Sequence, residues 1–129
     1  MNLNINYIKC SPENLKFKNK FNVILNMEVI EHVSNVNLFI QNCSMLIEKN
    51  GIMFVATINK NLKSYLYAIL GAEYILRWLP IGTHDWEKFL TPQELETITS
   101  KNKFLTDETI GMKYNFLLKK WSKTNDTSV

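Results

Sequence analysis

Apolar and polar positions change rhythm several times along the chain, and each change marks an element. Asn4 to Ile8 has the length and composition of a short strand. Cys10-Ser11-Pro12-Glu13-Asn14 breaks it, because Pro12 fixes its own φ and disfavours helix at Ser11. Leu15 to Lys20 alternates apolar and basic residues, as an exposed approach to a strand would. Phe21 to Met27 (FNVILNM) then sets Val23, Ile24 and Leu25 in a row, which predicts a strand covered on both faces. Val36, Phe39, Ile40, Cys43, Leu46 and Ile47 follow the i, i+3, i+4 spacing of one buried helical face, so a helix is expected from about Val36 to Ile47. Ser34 or Asn35 supplies its N-cap, and Asn50-Gly51 its end. Ile52 to Ile58 (IMFVATI) predicts a second strand. Strand, amphipathic helix, strand is a βαβ unit with parallel strands and a right-handed connection.

Beyond it the pattern changes. Lys63 to Leu79 (KSYLYAILGAEYILRWL) is apolar nearly all round and helical by length, with Glu73 and Arg77 at a pairing distance of i, i+4. Pro80 stops it, and Gly82 opens a loop containing Thr83, His84 and Asp85. Thr91-Pro92-Gln93-Glu94 carries a full helix-start signal: a threonine cap, proline in the first turn, and a glutamate able to reach back to the cap amide. Phe104 to Met112 is a weaker strand candidate, and the polar stretch from Lys119 to Val129 is expected to fray.

A length of 129 residues suits one domain. With 46% hydrophobic and 21% charged residues, the chain is neither a disordered tail nor a simple membrane span. A net charge of +3 is too small to imply nucleic acid, and none is expected as a partner. Cys10 and Cys43 read as reduced thiols, and no Cys/His spacing matches a structural zinc site. The N-terminus has no basic start followed by an apolar run, so no secretory signal is expected.

The strongest chemical constellation is Met27-Glu28-Val29-Ile30-Glu31-His32, at the carboxyl end of the first long strand. Ligands of open α/β sheets bind just outside such strand ends. Glu28, Glu31 and His32 gathered there could hold a divalent cation, with oxygen ligands favouring magnesium. A cation beside two phenolic oxygens would lower their pKa, and His32 could instead take a phenolic proton as general base. Equally, the three could be turn residues that cap the next helix and face water. The loop of Thr83, His84 and Asp85, and the turn from Cys10 to Asn14, are lesser candidates, each also readable as an ordinary polar connection. The four glycines, Gly51, Gly71, Gly82 and Gly111, form no G-x-G, so the glycine-rich turn of a Rossmann-like cofactor site is absent from this chain.

The strings FNVILNMEVIEHV, NGIMFVATINKNLKSYL and GAEYILRWLPIGTHDWEKFLTPQEL resemble the ubiquinone-biosynthesis O-methyltransferases, class I enzymes that use S-adenosylmethionine. The likeness runs from about Tyr7 to the end of the chain. It implies an incomplete class I (Rossmann-like) α/β sheet with flanking helices, lacking its N-terminal strands and its last strand. In the family order 3-2-1-4-5-7-6 the chain would supply strands 3, 4, 5 and 6, so that only strands 4 and 5 are neighbours. The resemblance assigns Met27 to cofactor contact, and Glu28, Glu31 and His32 to a divalent metal, magnesium being expected. It makes residues 58 to 85 a membrane-associating insertion. The implied reaction is O-methylation of a polyprenylated catechol-type ring, on the inner, cytoplasmic face of the membrane. Seventeen residues interrupted by Glu73 and Arg77 fall short of a span of about 20, so the apolar segment is expected to lie in the interface, with Tyr65, Tyr67, Tyr74 and Trp78 as interfacial rings. Lys60, Lys63, Arg77 and Lys88 would meet anionic headgroups. A helix buried against the sheet or in a dimer contact is the alternative. Three functional readings remain: part of a methyltransferase inactive by itself, a non-catalytic module binding a membrane surface or a quinone precursor, and a subunit completed by an N-terminal chain.

Overall fold

The computed structural model describes residues 3–11, 14, 16–61, 75, 77, 80, 85–115 and 118–127. Its elements are β1 (Phe21–Met27), α1 (Val36–Leu46), β2 (Ile47–Ala56), α2 (Pro92–Lys101), β3 (Gly111–Asn115) and β4 (Lys120–Thr124), with 3-10 turns at Ile30–His32 and Trp86–Lys88. The fold is mixed α/β, as the sequence pattern predicts. β1 and β2 pair in parallel on either side of α1, from Val23 opposite Ile52 to Met27 opposite Ala56. The two expected neighbours are therefore the two that pair. β3 and β4 form a separate antiparallel hairpin.

Asn35 caps α1, its Oδ1 accepting from the Leu38 amide at 3.0 Å. The capped helix lays Phe39, Ile40 and Cys43 on the sheet, where they join Ile30 and Val33 in the core. Ile24, Met53 and Val55 meet this core from the strands, and Leu95, Ile98 and Phe104 from the α2 region. Asn26 is the buried polar residue of β1, its Nδ2 lying 3.8 Å from Cys43 Sγ. Thr91 begins α2 with a complete capping box: its Oγ1 accepts from the Glu94 amide at 3.2 Å, and Glu94 Oε2 accepts from the Thr91 amide at 2.8 Å.

The structure corrects several expectations. Among the described residues, β1 is covered on one face only. Val23, Leu25 and Met27 are 52%, 63% and 58% exposed, and on the same side of β2 Ile52 and Phe54 are 57% and 52% exposed. A run of apolar residues marks a strand suited to two covered faces, but it cannot say whether both covers are present. Asn50-Gly51 does not end the helix. α1 stops at Leu46, and β2 begins at Ile47, so Asn50 and Gly51 lie inside a strand whose register shifts between Phe21 and Val23. Gly51 is needed there for room: a Cβ would come within 2.6 Å of Ile47 Cγ1 and 2.9 Å of the Asn22 carbonyl oxygen. β2 also ends at Ala56, before Ile58.

Asn4 to Ile8 carries no strand assignment, because it meets no pairing partner among the described residues and leaves Ile5, Tyr7 and Ile8 exposed. The strand expected over Phe104 to Met112 begins only at Gly111. The tail expected to fray contains β4, which is held by its ladder to β3 and by the packing of Tyr114 on Trp121, ring centroids 5.2 Å apart. Apart from Ile75 and Arg77, the expected helix Lys63–Leu79, with Glu73 of its Glu73–Arg77 pair, lies outside the described residues, as does most of the 58–85 insertion. No helix among the described residues is long and apolar enough to cross a membrane.

Candidate functional site

The carboxyl end of β1 is built by two apolar anchors. Ile30 and Val33, 1% and 5% exposed, bury themselves in the core and force the intervening backbone into a 3-10 turn. His32 N donates to the Val29 carbonyl at 3.0 Å, closing it. In a 3-10 turn, with about three residues per turn, adjacent side chains diverge widely. Glu31 is therefore buried, at 4% exposure, while His32 is exposed.

Glu28 precedes the turn with φ 53, a left-handed conformation uncommon for a residue with a side chain. Its amide still donates to the Ala56 carbonyl at 2.9 Å, so the parallel pairing extends one residue past β1. The strand end is thus fixed to β2 while the backbone turns sharply. Met27, just before it, is exposed.

Thr57, just past β2, meets this cluster. Its Oγ1 donates to Glu31 Oε2 at 3.3 Å, whereas Oε1 of the same carboxylate is buried with no hydrogen-bond partner among the described residues. Partial desolvation pushes the Glu28 carboxyl up to about 7, and the adjacent Glu31 carboxylate, which can share a proton with it and repels its charge, adds to the shift. Two crowded carboxylates, one with an unsatisfied oxygen, fit a cation or a proton donor. His32 does not join them: among the described residues, no three His, Cys, Asp or Glu side chains are grouped to hold a metal.

The reading of Glu28, Glu31 and His32 as water-facing helix caps fails for Glu31, which is buried, and for the cap of α1, which is Asn35. Thr57 was not singled out by sequence reasoning. Its signal was topological, since the ends of two parallel neighbouring strands must lie side by side. Of the second candidate loop, Thr83 and His84 lie outside the described residues. Asp85 caps the turn Trp86–Lys88, accepting from the Glu87 amide at 3.2 Å, and pairs with Lys88 at 3.6 Å. In the Cys10–Asn14 segment, Asn14 N donates to the Ser11 carbonyl at 2.9 Å and Cys10 is exposed, while Pro12 and Glu13 lie outside the described residues. A shallow hollow on α2, lined by Leu90, Gln93, Glu94, Thr97 and Ile98, includes none of the predicted site residues.

A family profile described as a methyltransferase domain matches residues 4–105. The ubiquinone biosynthesis O-methyltransferase of Pelagibacter ubique (strain HTCC1062) is 59% identical over 127 residues, covering 98% of this chain and 53% of that protein. Proteins of the same name from Bartonella tribocorum and Bartonella quintana are 49% and 48% identical, covering 99% and 98% of this chain and 52% of each relative. The chain spans about half the length of the curated relatives it matches. With the profile running through β1, α1, β2 and α2, and with the parallel βαβ unit in place, the chain belongs to the methyltransferase-domain family.

Proposed function

We propose that this chain forms the substrate-facing part of an S-adenosylmethionine-dependent O-methyltransferase that acts on a polyprenylated catechol-type ring in ubiquinone biosynthesis. The observation that carries the reading is the pair Glu28–Glu31, placed at the end of β1 in a chain 59% identical to a protein named for that reaction. S-adenosylmethionine, when bound, supplies a methyl group on a sulfonium, and a divalent cation such as magnesium lowers the pKa of neighbouring phenolic oxygens. Glu31, held by Thr57 and keeping one oxygen unsatisfied, would be the fixed ligand for the cation. Glu28, whose proton is lost near pH 7, would complete the pair. His32, exposed at the end of the turn, would take the phenolic proton as general base. Exposed Met27 would contact the cofactor. The 58–85 segment would lie on an anionic membrane surface at its cytoplasmic face, where a polyprenylated substrate resides.

The test is a chimera in which this chain replaces the aligned 127 residues of the Pelagibacter ubique relative. It should transfer a labelled methyl group from S-adenosylmethionine to a polyprenylated catechol, and Glu31→Gln should cut the rate at least tenfold. A folded chimera that binds S-adenosylmethionine yet methylates no such phenol would overturn the assignment. If the non-catalytic reading held instead, the chain would sediment with anionic vesicles while the chimera stayed inactive.

A further inference from the structure

The positive charge of the chain is unevenly placed. Residues 109–125 contain Lys113, Lys119, Lys120 and Lys123 and no carboxylate, against a net charge of +3 for the whole chain, so the remainder is slightly acidic. The fold gathers these lysines into the β3–β4 hairpin. Residues directly opposite each other in an antiparallel ladder share a face. One face of the hairpin therefore carries Met112 beside Lys123 and Tyr114 beside Trp121, and the other carries Lys113 beside Ser122 and Asn115 beside Lys120. Met112, Tyr114 and Trp121 are all exposed, Trp121 to 66%, and Leu118 in the connecting turn is 67% exposed. Lys123 comes only within 4.0 Å of Glu108, and among the described residues Lys113, Lys119 and Lys120 enter no ion pair. Tyrosine and tryptophan rings, apolar in body and polar at one edge, favour the boundary between water and hydrocarbon, and lysines beside them are drawn to anionic headgroups.

We propose that the β3–β4 hairpin docks on the surface of an anionic phospholipid bilayer, with Trp121, Tyr114 and Leu118 entering the headgroup boundary and the lysines meeting lipid phosphates. The position of the hairpin gives this docking a use. Asn59 Nδ2 donates to the Thr127 carbonyl, which ties the foot of the hairpin two residues beyond Thr57. That is the end of the β1–β2 sheet where Glu28 and Glu31 lie. The hairpin would thus turn this end toward the lipid. It deepens the membrane placement proposed above, and rests on that reading for a substrate held in the membrane, but it does so through a different element.

The experiment exposes the full chain to vesicles of phosphatidylglycerol and phosphatidylcholine in equal parts. The chain should sediment with them and not with phosphatidylcholine alone. Lys119→Gln with Lys120→Gln and Lys123→Gln should lower its partition at least about tenfold. Lys16→Gln with Lys18→Gln and Lys20→Gln removes the same charge just before β1, at the opposite end of the parallel pair, and should lower it by less than about threefold. A second measurement reads the contact itself. With Trp78→Phe and Trp86→Phe, Trp121 is the sole tryptophan. Its emission should shift to the blue on these vesicles and be quenched by brominated acyl chains. Absence of sedimentation, equal sensitivity to the two lysine sets, an unquenched Trp121 on bound chains, or single-stranded RNA outcompeting the vesicles would overturn the proposal. Neither readout depends on methyl transfer, so an inactive chimera would leave a bound hairpin standing, and an active chimera with an unquenched Trp121 would overturn the role of the hairpin alone.

Discussion

Thr57 Oγ1 holds one oxygen of Glu31 at 3.3 Å, and the other is buried without a partner among the described residues. Partial burial raises the proton affinity of the neighbouring Glu28, the Glu31 carboxylate adds to the effect, and Glu28 is pushed up to about 7. The folded chain therefore binds the Glu28 proton more tightly than the unfolded chain, whose carboxyl has its ordinary value of 4.5. This contribution to stability is fully present below about pH 4.5 and is lost as the pH rises through about 7. Urea midpoints measured with a chelator present should fall more steeply over that window for the native chain than for Glu28→Gln. Parallel pH profiles for the two would sink the coupling.

Glu94 shows the opposite behaviour. The Thr91 amide and hydroxyl both donate to its carboxylate and hold its pKa below the ordinary range, despite its exposure. Its stabilisation is present above the ordinary carboxylate pKa and is lost as the pH falls through the lowered value. Thr91→Ala removes the acceptor for the Glu94 amide and should cost about 1 kcal/mol. Chemical denaturation at pH 7 checks this. A loss below about 0.3 kcal/mol would mean that Pro92 and the packing of Leu95 and Ile98 set the helix start without the cap.

How far the sequence could be read follows from where each signal is local. The Thr91–Glu94 box and the Asn35 cap depend on residues three apart, and both form as their spacing predicts. The end of α2 was less visible. Lys103 adopts φ 68 and the Phe104 amide reaches back to the Thr99 carbonyl at 3.1 Å, a left-handed termination with no glycine to announce it. Glu28 takes a left-handed turn with the same lack of warning. Glu31 illustrates the limit at the site. Its place in a charged hexapeptide was evident, but its burial depends on Ile30 and Val33 anchoring a 3-10 turn, and its partner Thr57 is 26 positions away. The open face of β1 was illegible because apolar residues record the environment a strand suits, not whether each cover is present.

Gly51 offers a sharp test of the β1–β2 register. A side chain there would press on Ile47 and on the Asn22 carbonyl, and a backbone oxygen cannot swing aside as a side-chain tip can. Gly51→Ala should therefore destabilise the chain by about 1–3 kcal/mol, the usual range for overpacking, even though alanine suits a strand better than glycine in general. Thermal melts would show it. An unchanged or raised melting temperature would mean that the irregular pairing between Phe21 and Val23 is absent or freely adjustable.

The two cysteines should separate in reactivity because the fold treats them differently. Cys10 is exposed, and Cys43, on the buried face of α1, is 1% exposed. Burial pushes the Cys43 thiol above its ordinary pKa, and the nearby Asn26 amide only partly opposes that. Since the thiolate is the reactive species, Cys43 is protected both by access and by protonation. Ellman's reagent at pH 8 should modify one thiol at once and the second only at the rate of unfolding. In Cys10→Ser the fast phase should vanish and the slow one persist. Cys43→Ser should keep the fast phase but lose about 1–3 kcal/mol of stability, because a hydroxyl would be buried where the sulfur now packs among Ile30, Phe39 and Ile40. If both thiols of the native chain react together, α1 is not held on the sheet as described, and Glu31, whose burial depends on the same core, would be open to solvent as well.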